Sequence, residues 1–269
     1  MEGNKFEKTP LNTVRRRPDR GSYDKETIAS IIGEAKVMHV AFVDTQGLPQ
    51  CIPMLGVWDE DETGQCYLYF HGYPTARIMS NLSDPGTQVV ASATLVDGLV
   101  MALCAFSHSM NYRSVVVHGV VLPISEEEKQ TAFKKVVEGI APARWENSRQ
   151  PNEVETQGTS ILRVKVEAAS AKARAGPPKD DKKDVENKEL VSKTWTGVIP
   201  LRTVPGVPSH QVIAQCLLLR MYPLWRRLPM VPNSRGYKAQ TNDNHKRIET
   251  VFDGIVLCAG PEPKEEPHA

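Results

Sequence analysis

The run from Ser107 to Gly119 (SHSMNYRSVVVHG) constrains this chain more than any other stretch. Its first half is polar and its second half is β-branched. It therefore reads as a loop packed with donors that feeds into a strand ending near Ile124. Alternation sorts Tyr112, Ser114, Val116, His118 and Val120 onto one face, and Arg113, Val115, Val117 and Val121 onto the other. An arginine followed by a serine at the mouth of a strand offers a fixed cation and a hydroxyl, which suits one phosphate group. The same pair also suits a plain surface ion pair at a strand end.

The segments around this run are short and turn-punctuated. Asp24 is placed to cap a helix over 25–35 with Ile28, Ile31, Ile32 and Ala35 on one side. Strands follow over 37–43, 50–58 and 66–71, separated by Thr45 to Gly47 and by the acidic turn Asp59 to Gly64. Pro53 predicts an edge position or a bulge in the second of these. Residues 88–96 and 99–106 read as a hairpin turning at Asp97-Gly98. Ser125 with Glu128 predicts a capping box that opens a helix to about Ile140. Strands over 161–167 and 195–201 complete the pattern, with a Pro, Asp and Lys-rich loop over 176–188 between them. Short strands with few helices favour a mainly β fold, a closed or nearly closed antiparallel barrel, over a parallel α/β sheet.

A second anion-friendly corner lies at His71 to Arg77. Pro74 suits the first position of a helix, whose free N–H groups and dipole attract an anion. Arg77 would lie about one turn in, beside Thr75. An ordinary connecting helix with an exposed arginine fits as well, and His71, closing a strand, reads first as a hydrogen-bonded structural residue. Sequence spacing does not say whether the two corners meet.

Several chemistries are missing. No G-x-G-x-x-G follows a strand, and there is no G-x-S-x-G, H-E-x-x-H or G-x-x-x-x-G-K. Cys51, Cys66, Cys104, Cys216 and Cys258 are far apart and form no C-x-x-C, so neither a zinc site nor a disulfide framework is expected. The formal net charge of +1 gives no overall footprint for nucleic acid, although Arg15, Arg16, Arg17 and Arg20 form a local basic patch. Without a hydrophobic leader or a membrane-length apolar run, a cytoplasmic protein is expected. The organisation expected is a basic arm over 1–22, one domain over 23–202 and a poorly ordered tail over 203–269.

Taken together, Ile52-Pro53-Met54, Phe70-His71-Gly72, Arg77, the segment 95–100, the run Phe106 to Val116 and the segment 167–172 resemble one family. It is the flavin-nucleotide-binding branch of the pyridoxamine-phosphate-oxidase-like FMN-binding split barrels, which includes nitroimidazole-resistance proteins. The resemblance covers residues 9–202, and Arg202 to Ala269 matches no pattern of that family. It implies a split β-barrel and a homodimer with FMN in the cleft between subunits. Arg77, Arg113 and Ser114 would hold the phosphate, and Thr75, Asn111 and Tyr112 would also belong to the cofactor site. Ile52, Pro53 and Met54 would meet the ring edge through backbone, next to His71 and Gly72. Lys172 and Trp145 would border the cleft from the partner.

Three functions follow from this reading. The first is an FMN-dependent oxidoreductase passing electrons from a reduced nicotinamide or similar donor to a small acceptor, with His71 and Tyr112 as catalytic candidates. The second is a non-catalytic flavin carrier or redox-sensing regulator. The third is a haem-binding barrel with His71, His108 or His118 as axial ligand. Pyridoxamine-phosphate oxidation itself is disfavoured, because no further basic cluster serves a second phosphate.

Overall fold

The structure, a computed structural model, describes residues 4–205 and the backbone of an antiparallel pair, Val251–Phe252 and Ile255–Val256. The chain divides into two units, Met1–Thr203 and Val204–Ala269. The expectation of a poorly ordered tail lies outside the described residues, apart from 203–205 and that pair.

The first unit is an antiparallel split barrel. Its strands are β1 (Gly21–Ser22), β2 (Val37–Val43), β3 (Pro49–Glu60), β4 (Cys66–Gly72), β5 (Gln88–Met101), β6 (Ser109–Leu122), β7 (Ser160–Arg174) and β8 (Gly197–Pro200). The order β7-β4-β3-β2-β5-β6 closes on itself through β6–β7 pairing, while β1 pairs with β7 and β8 with β5. Alternation sends Met38, Val40, Leu68, Phe70, Ala91, Ala93, Val115, Val117 and Val164 inward, where they form the buried core.

Helix α1 (Lys25–Ala35) contributes Ile28, Ile31 and Ile32 to that core, as its apolar face predicts. The Asp24 side chain accepts from the Thr27 N–H at 2.8 Å and caps the helix. Helix α2 (Arg77–Asn81) is a short turn after β4, and α3 (Glu126–Ile140) opens with the Ser125–Glu128 capping box read from the sequence. Phe133 and Val136 of α3 pack on the outer face of the barrel over Tyr67, Tyr69 and Ile161. Short helices α4 (Glu153–Gln157), α5 (Lys182–Val185) and α6 (Lys188–Lys193) connect the remaining strands.

Two local expectations are corrected. Asp97-Gly98 is a β-bulge, not a hairpin turn: β5 runs on to Met101, and the register against β6 shifts between Val96 and Gly98. The chain reverses at 102–108 instead. Gly98 is needed for close approach, because a Cβ there would stand 3.0 Å from both the Ile199 carbonyl oxygen and Val198 Cγ1 of β8. The helix after His71 starts at Arg77, not at Pro74: Pro74 and Thr75 lie inside a turn closed by the Ala76 N–H on the Tyr73 carbonyl at 2.9 Å.

The N-terminal arm is tied down despite its polarity. Buried Asn12 donates to the carbonyls of Glu7 (2.9 Å) and Ala169 (3.1 Å), and the Val14 N–H donates to the Tyr23 hydroxyl at 2.9 Å.

Candidate functional site

Strand β3 changes partner along its length. Pro49–Leu55 pairs with β2, and Gly56–Glu60 pairs with β4. Over Cys51–Leu55 the edge away from β2 carries no strand partner among the described residues. That is where Pro53 sits, so its missing N–H breaks no ladder. The side chains of Ile52 and Met54 lean into the core, leaving backbone as the functional face of this edge.

The end of β4 and the start of α2 border the opening. A Cβ on Gly72 would lie 2.8 Å from Met79 Cε and 3.8 Å from Met54 Cε, so β4, α2 and the β3 edge converge here. Exposed Arg77 donates from Nη1 to Gln50 Oε1 on β3 at 3.1 Å. No carboxylate pairs with it among the described residues. His71 is half-buried, burial pushes its pKa below 6.5, and its Nδ1 has no hydrogen-bond partner among the described residues. Ile52, Pro53, Met54, His71, Gly72, Thr75 and Arg77 thus form one neighbourhood.

The second group lies across the barrel on β6 and β7. Arg113 faces inward at the end occupied by α1, while Ser114 faces outward and donates to the Lys172 carbonyl at 3.2 Å. The strand alternation that makes them neighbours in sequence puts their side chains on opposite faces. The Arg113 guanidinium is engaged by two carboxylates. Nε and Nη2 donate to Asp97 at 2.9 and 2.7 Å, and Nη2 also donates to Glu34 at 2.8 Å. A further bond joins Nη1 to Glu34. These acceptors hold Arg113 firmly charged, and its hydrogen bonds hold the Glu34 carboxyl below the usual range. The bulge at Asp97 brings its carboxylate to Arg113. One cation facing two anions leaves a local charge of −1, a poor complement for a phosphate.

The remaining expected residues distribute as follows. Asn111 is buried, accepting from Arg174 Nη1 at 2.6 Å and donating to the Gly176 carbonyl at 3.2 Å. Tyr112 stands on the outer face opposite Arg174. Trp145 packs with the α3 layer. The two catalytic candidates are not brought together. His71 is opposite Ile161 and Tyr112 opposite Arg174, thirteen positions apart along β7. The other way round the wall, β4 and β6 are four strand spacings apart, about 19 Å.

The three histidines differ in what they offer. His108 Nδ1 accepts from the Ala102 N–H at 3.0 Å, so its neutral form carries the proton on Nε2. His118 is partly buried on the outer face of β6, and burial lowers its pKa. Of the three, His71 has the orphaned ring nitrogen. The residues missed by sequence reasoning are Gln50, Asp97 and Glu34. Glu34 is separated from Arg113 by 79 positions, and no local pattern marks it.

Among the described residues, no group of three or more His, Cys, Asp or Glu side chains is placed to hold a metal ion. No described helix is long and apolar enough to cross a membrane.

Comparison with known proteins adds the following. The sequence pattern of the family described as pyridoxamine 5′-phosphate oxidase matches residues 24–173. The flavocytochrome Anf3 of Azotobacter vinelandii is 28% identical, with 83% of this chain and 93% of that one covered at a TM-score of 0.66. An FAD and haem binding protein of Mycobacterium smegmatis is 24% identical, with 74% and 92% covered at a TM-score of 0.65, and shares the fold. No curated protein matches.

Proposed function

The chain belongs to the pyridoxamine 5′-phosphate oxidase family, and from that membership we propose that it binds a flavin nucleotide, FMN, at the open edge of β3 and acts as a flavin-dependent oxidoreductase. The observation that carries this reading is the Arg77 corner: an exposed guanidinium with no carboxylate partner among the described residues, held by a neutral amide beside an unpaired strand edge. Its one guanidinium complements one phosphate group, which favours FMN over a larger dinucleotide. The donor set fits a flat ring with polar edges, since the open edge of β3 presents the backbone groups of Cys51 and Leu55 and the Pro53 carbonyl, close to where Gly72 meets Met79 and Met54. Arg113 is assigned to the barrel frame, because Asp97 and Glu34 already take its donors.

Bound there, the flavin supplies the electron or hydride transfer chemistry. The work of this chain is to anchor the phosphate through Arg77 and to present backbone donors and acceptors to the ring edge. His71, kept neutral near pH 7 by burial, adds an imidazole beside the site. The groups on β3–β4 and on β6–β7 are separated within one chain, so a cleft using both needs two copies. The outer sheet face carries exposed Val37, Val43, Val96 and Val116, consistent with a homodimer.

The test is flavin content. Arg77→Ala is expected to fold and purify without flavin, while Arg113→Met keeps it. Loss of flavin from Arg113→Met with retention in Arg77→Ala would reverse the assignment. Turnover is read separately, as oxidation of a reduced nicotinamide by the FMN-loaded protein. Retained FMN with no turnover across nitro and quinone acceptors would make it a carrier or sensor.

A second reading is favoured by His71. A neutral imidazole with an unpartnered nitrogen in half-buried surroundings is the form that ligates haem iron, and the 28%-identical relative is a flavocytochrome. Addition of haemin is then expected to give a Soret band that His71→Ala lacks. An unchanged band in His71→Ala would remove His71 from that role.

A further inference from the structure

Arg77 owes its setting to two side-chain amides. Gln50 accepts from Arg77 Nη1 through Oε1 at 3.1 Å and donates through Nε2 to Asp44 Oδ2 at 2.9 Å. Asp44 is itself immobilised, since the N–H groups of Gln46 and Leu48 both donate to its Oδ1 at 2.9 Å. Asn81 repeats the device at the helix backbone: Nδ2 donates to the Arg77 carbonyl at 2.8 Å and Oδ1 accepts from the Thr45 N–H at 3.1 Å. Helix α2 is therefore stitched to the turn between β2 and β3 on both sides of Arg77.

The electrostatics distinguish this arrangement from the Arg113 clamp. The Leu48 N–H first, then the Gln46 N–H, the Gln50 amide and the nearby Arg77 charge, hold the Asp44 carboxyl below its usual range, so it is ionised at neutral pH. Asp44 and Arg77 attract each other through space but form no direct ion pair, and the Gln50 amide bridges them. A carboxylate in direct contact would neutralise the guanidinium and compete for its donors. An intervening amide fixes its direction and leaves its charge available.

We infer that Gln50 is a positioning residue for phosphate recognition, aiming the Arg77 guanidinium while taking the Asp44 carboxylate on its own amide, so that no carboxylate bonds Arg77 directly. This inference rests on the reading of Arg77 as the phosphate anchor. A single-atom change makes the point testable, since Gln50→Glu keeps the length and shape of the side chain and places a carboxylate directly on Arg77.

The experiment titrates the full chain with FMN and, separately, with riboflavin, which lacks the phosphate, following quenching of flavin fluorescence. The ratio of the two affinities isolates the phosphate contribution. The unaltered protein is expected to prefer FMN by about tenfold or more, and Gln50→Glu to lose most of that preference while its riboflavin affinity stays within about twofold. Where Gln50→Glu fails to fold, Gln50→Leu removes the aim without adding charge and is expected to lower the preference by about threefold. A preference unchanged in Gln50→Glu, or in Gln50→Leu where that variant stands in, overturns the inference while leaving Arg77 in place. A preference that also survives Arg77→Ala instead overturns the phosphate assignment. An unaltered protein that binds neither compound overturns the flavin reading.

Discussion

Replacing Arg113 with Met tests whether its double ion pair belongs to the frame or to a ligand site. Met keeps most of the apolar stem and removes the charge, so packing loss is small. The side chains of Arg113, Glu34 and Asp97 are 33%, 53% and 33% exposed. Solvent screening therefore limits each pair to about 0.5–1 kcal/mol, with the bidentate geometry favouring the upper end. Two carboxylates left facing each other add about 0.5 kcal/mol of repulsion at neutral pH. The sum, about 2 kcal/mol, corresponds to a drop of about 4–8 °C in Tm for a unit of this size. The pH dependence gives an independent check. Hydrogen bonds from Arg113 hold the Glu34 carboxyl below its ordinary 4.5. Its contribution is thus complete above that value and fades as pH falls through the lower value of the folded state. Thermal unfolding followed by circular dichroism should show a gap between the two proteins at pH 7 that narrows steadily in acid from about 4.5 downward. Equal melting at pH 7, with flavin lost from the variant, would refute this account and return Arg113 to the phosphate.

Three further outcomes are expected. Gly119→Ala should be destabilised by about 3 kcal/mol or more, because a Cβ there runs into the Lys165 carbonyl oxygen and Val164 Cγ1 at the β6–β7 irregularity; a melting temperature within a degree or two of the parent would contradict that packing. His71 should titrate below 6.5 by NMR, since burial favours its neutral form. Its stability contribution is therefore present above 6.5 and lost as pH falls through the folded value, and a midpoint above 6.5 would mean that the imidazole has a carboxylate neighbour. Ser125→Ala should cost about 1 kcal/mol by chemical denaturation, through loss of the bond from the Glu128 N–H at 3.2 Å, and an unchanged midpoint would leave the cap without energetic weight.

What was legible in the sequence was what short-range chemistry decides. Asp24 marked the start of α1, Ser125 with Glu128 marked α3, and alternation in 115–121 marked the inward face of β6. Asp97-Gly98 has the composition of a hairpin turn, and only the close passage of β8 reveals why a glycine is needed inside a continuous strand. Pro74 has the chemistry of a first helical residue, yet the Tyr73–Ala76 turn delays the helix by three positions. The sequence left Arg113 open between a phosphate ligand and an ion pair, because its carboxylate partners come from the end of α1 and from the bulge, contacts that exist only after the barrel closes. Gln50 was silent for the same reason, since its meaning depends on Asp44 and Arg77 arriving on either side of it.

The closing strand has a consequence for how the chain is made. β7 supplies the partner for both β4 and β6, and it begins only at Ser160. On the ribosome, everything from β1 to α3 emerges before either of those strands has its second neighbour. The nascent chain thus displays two unprotected edges at once, one of them the β-branched run of β6. Release of a fragment ending before residue 160 would leave both edges exposed, and such fragments are expected to associate with one another or with chaperones instead of remaining monomeric. Translation through 160–174 is then the step that converts an aggregation-prone sheet into a closed wall, and slow codons in that interval would lengthen the period of risk.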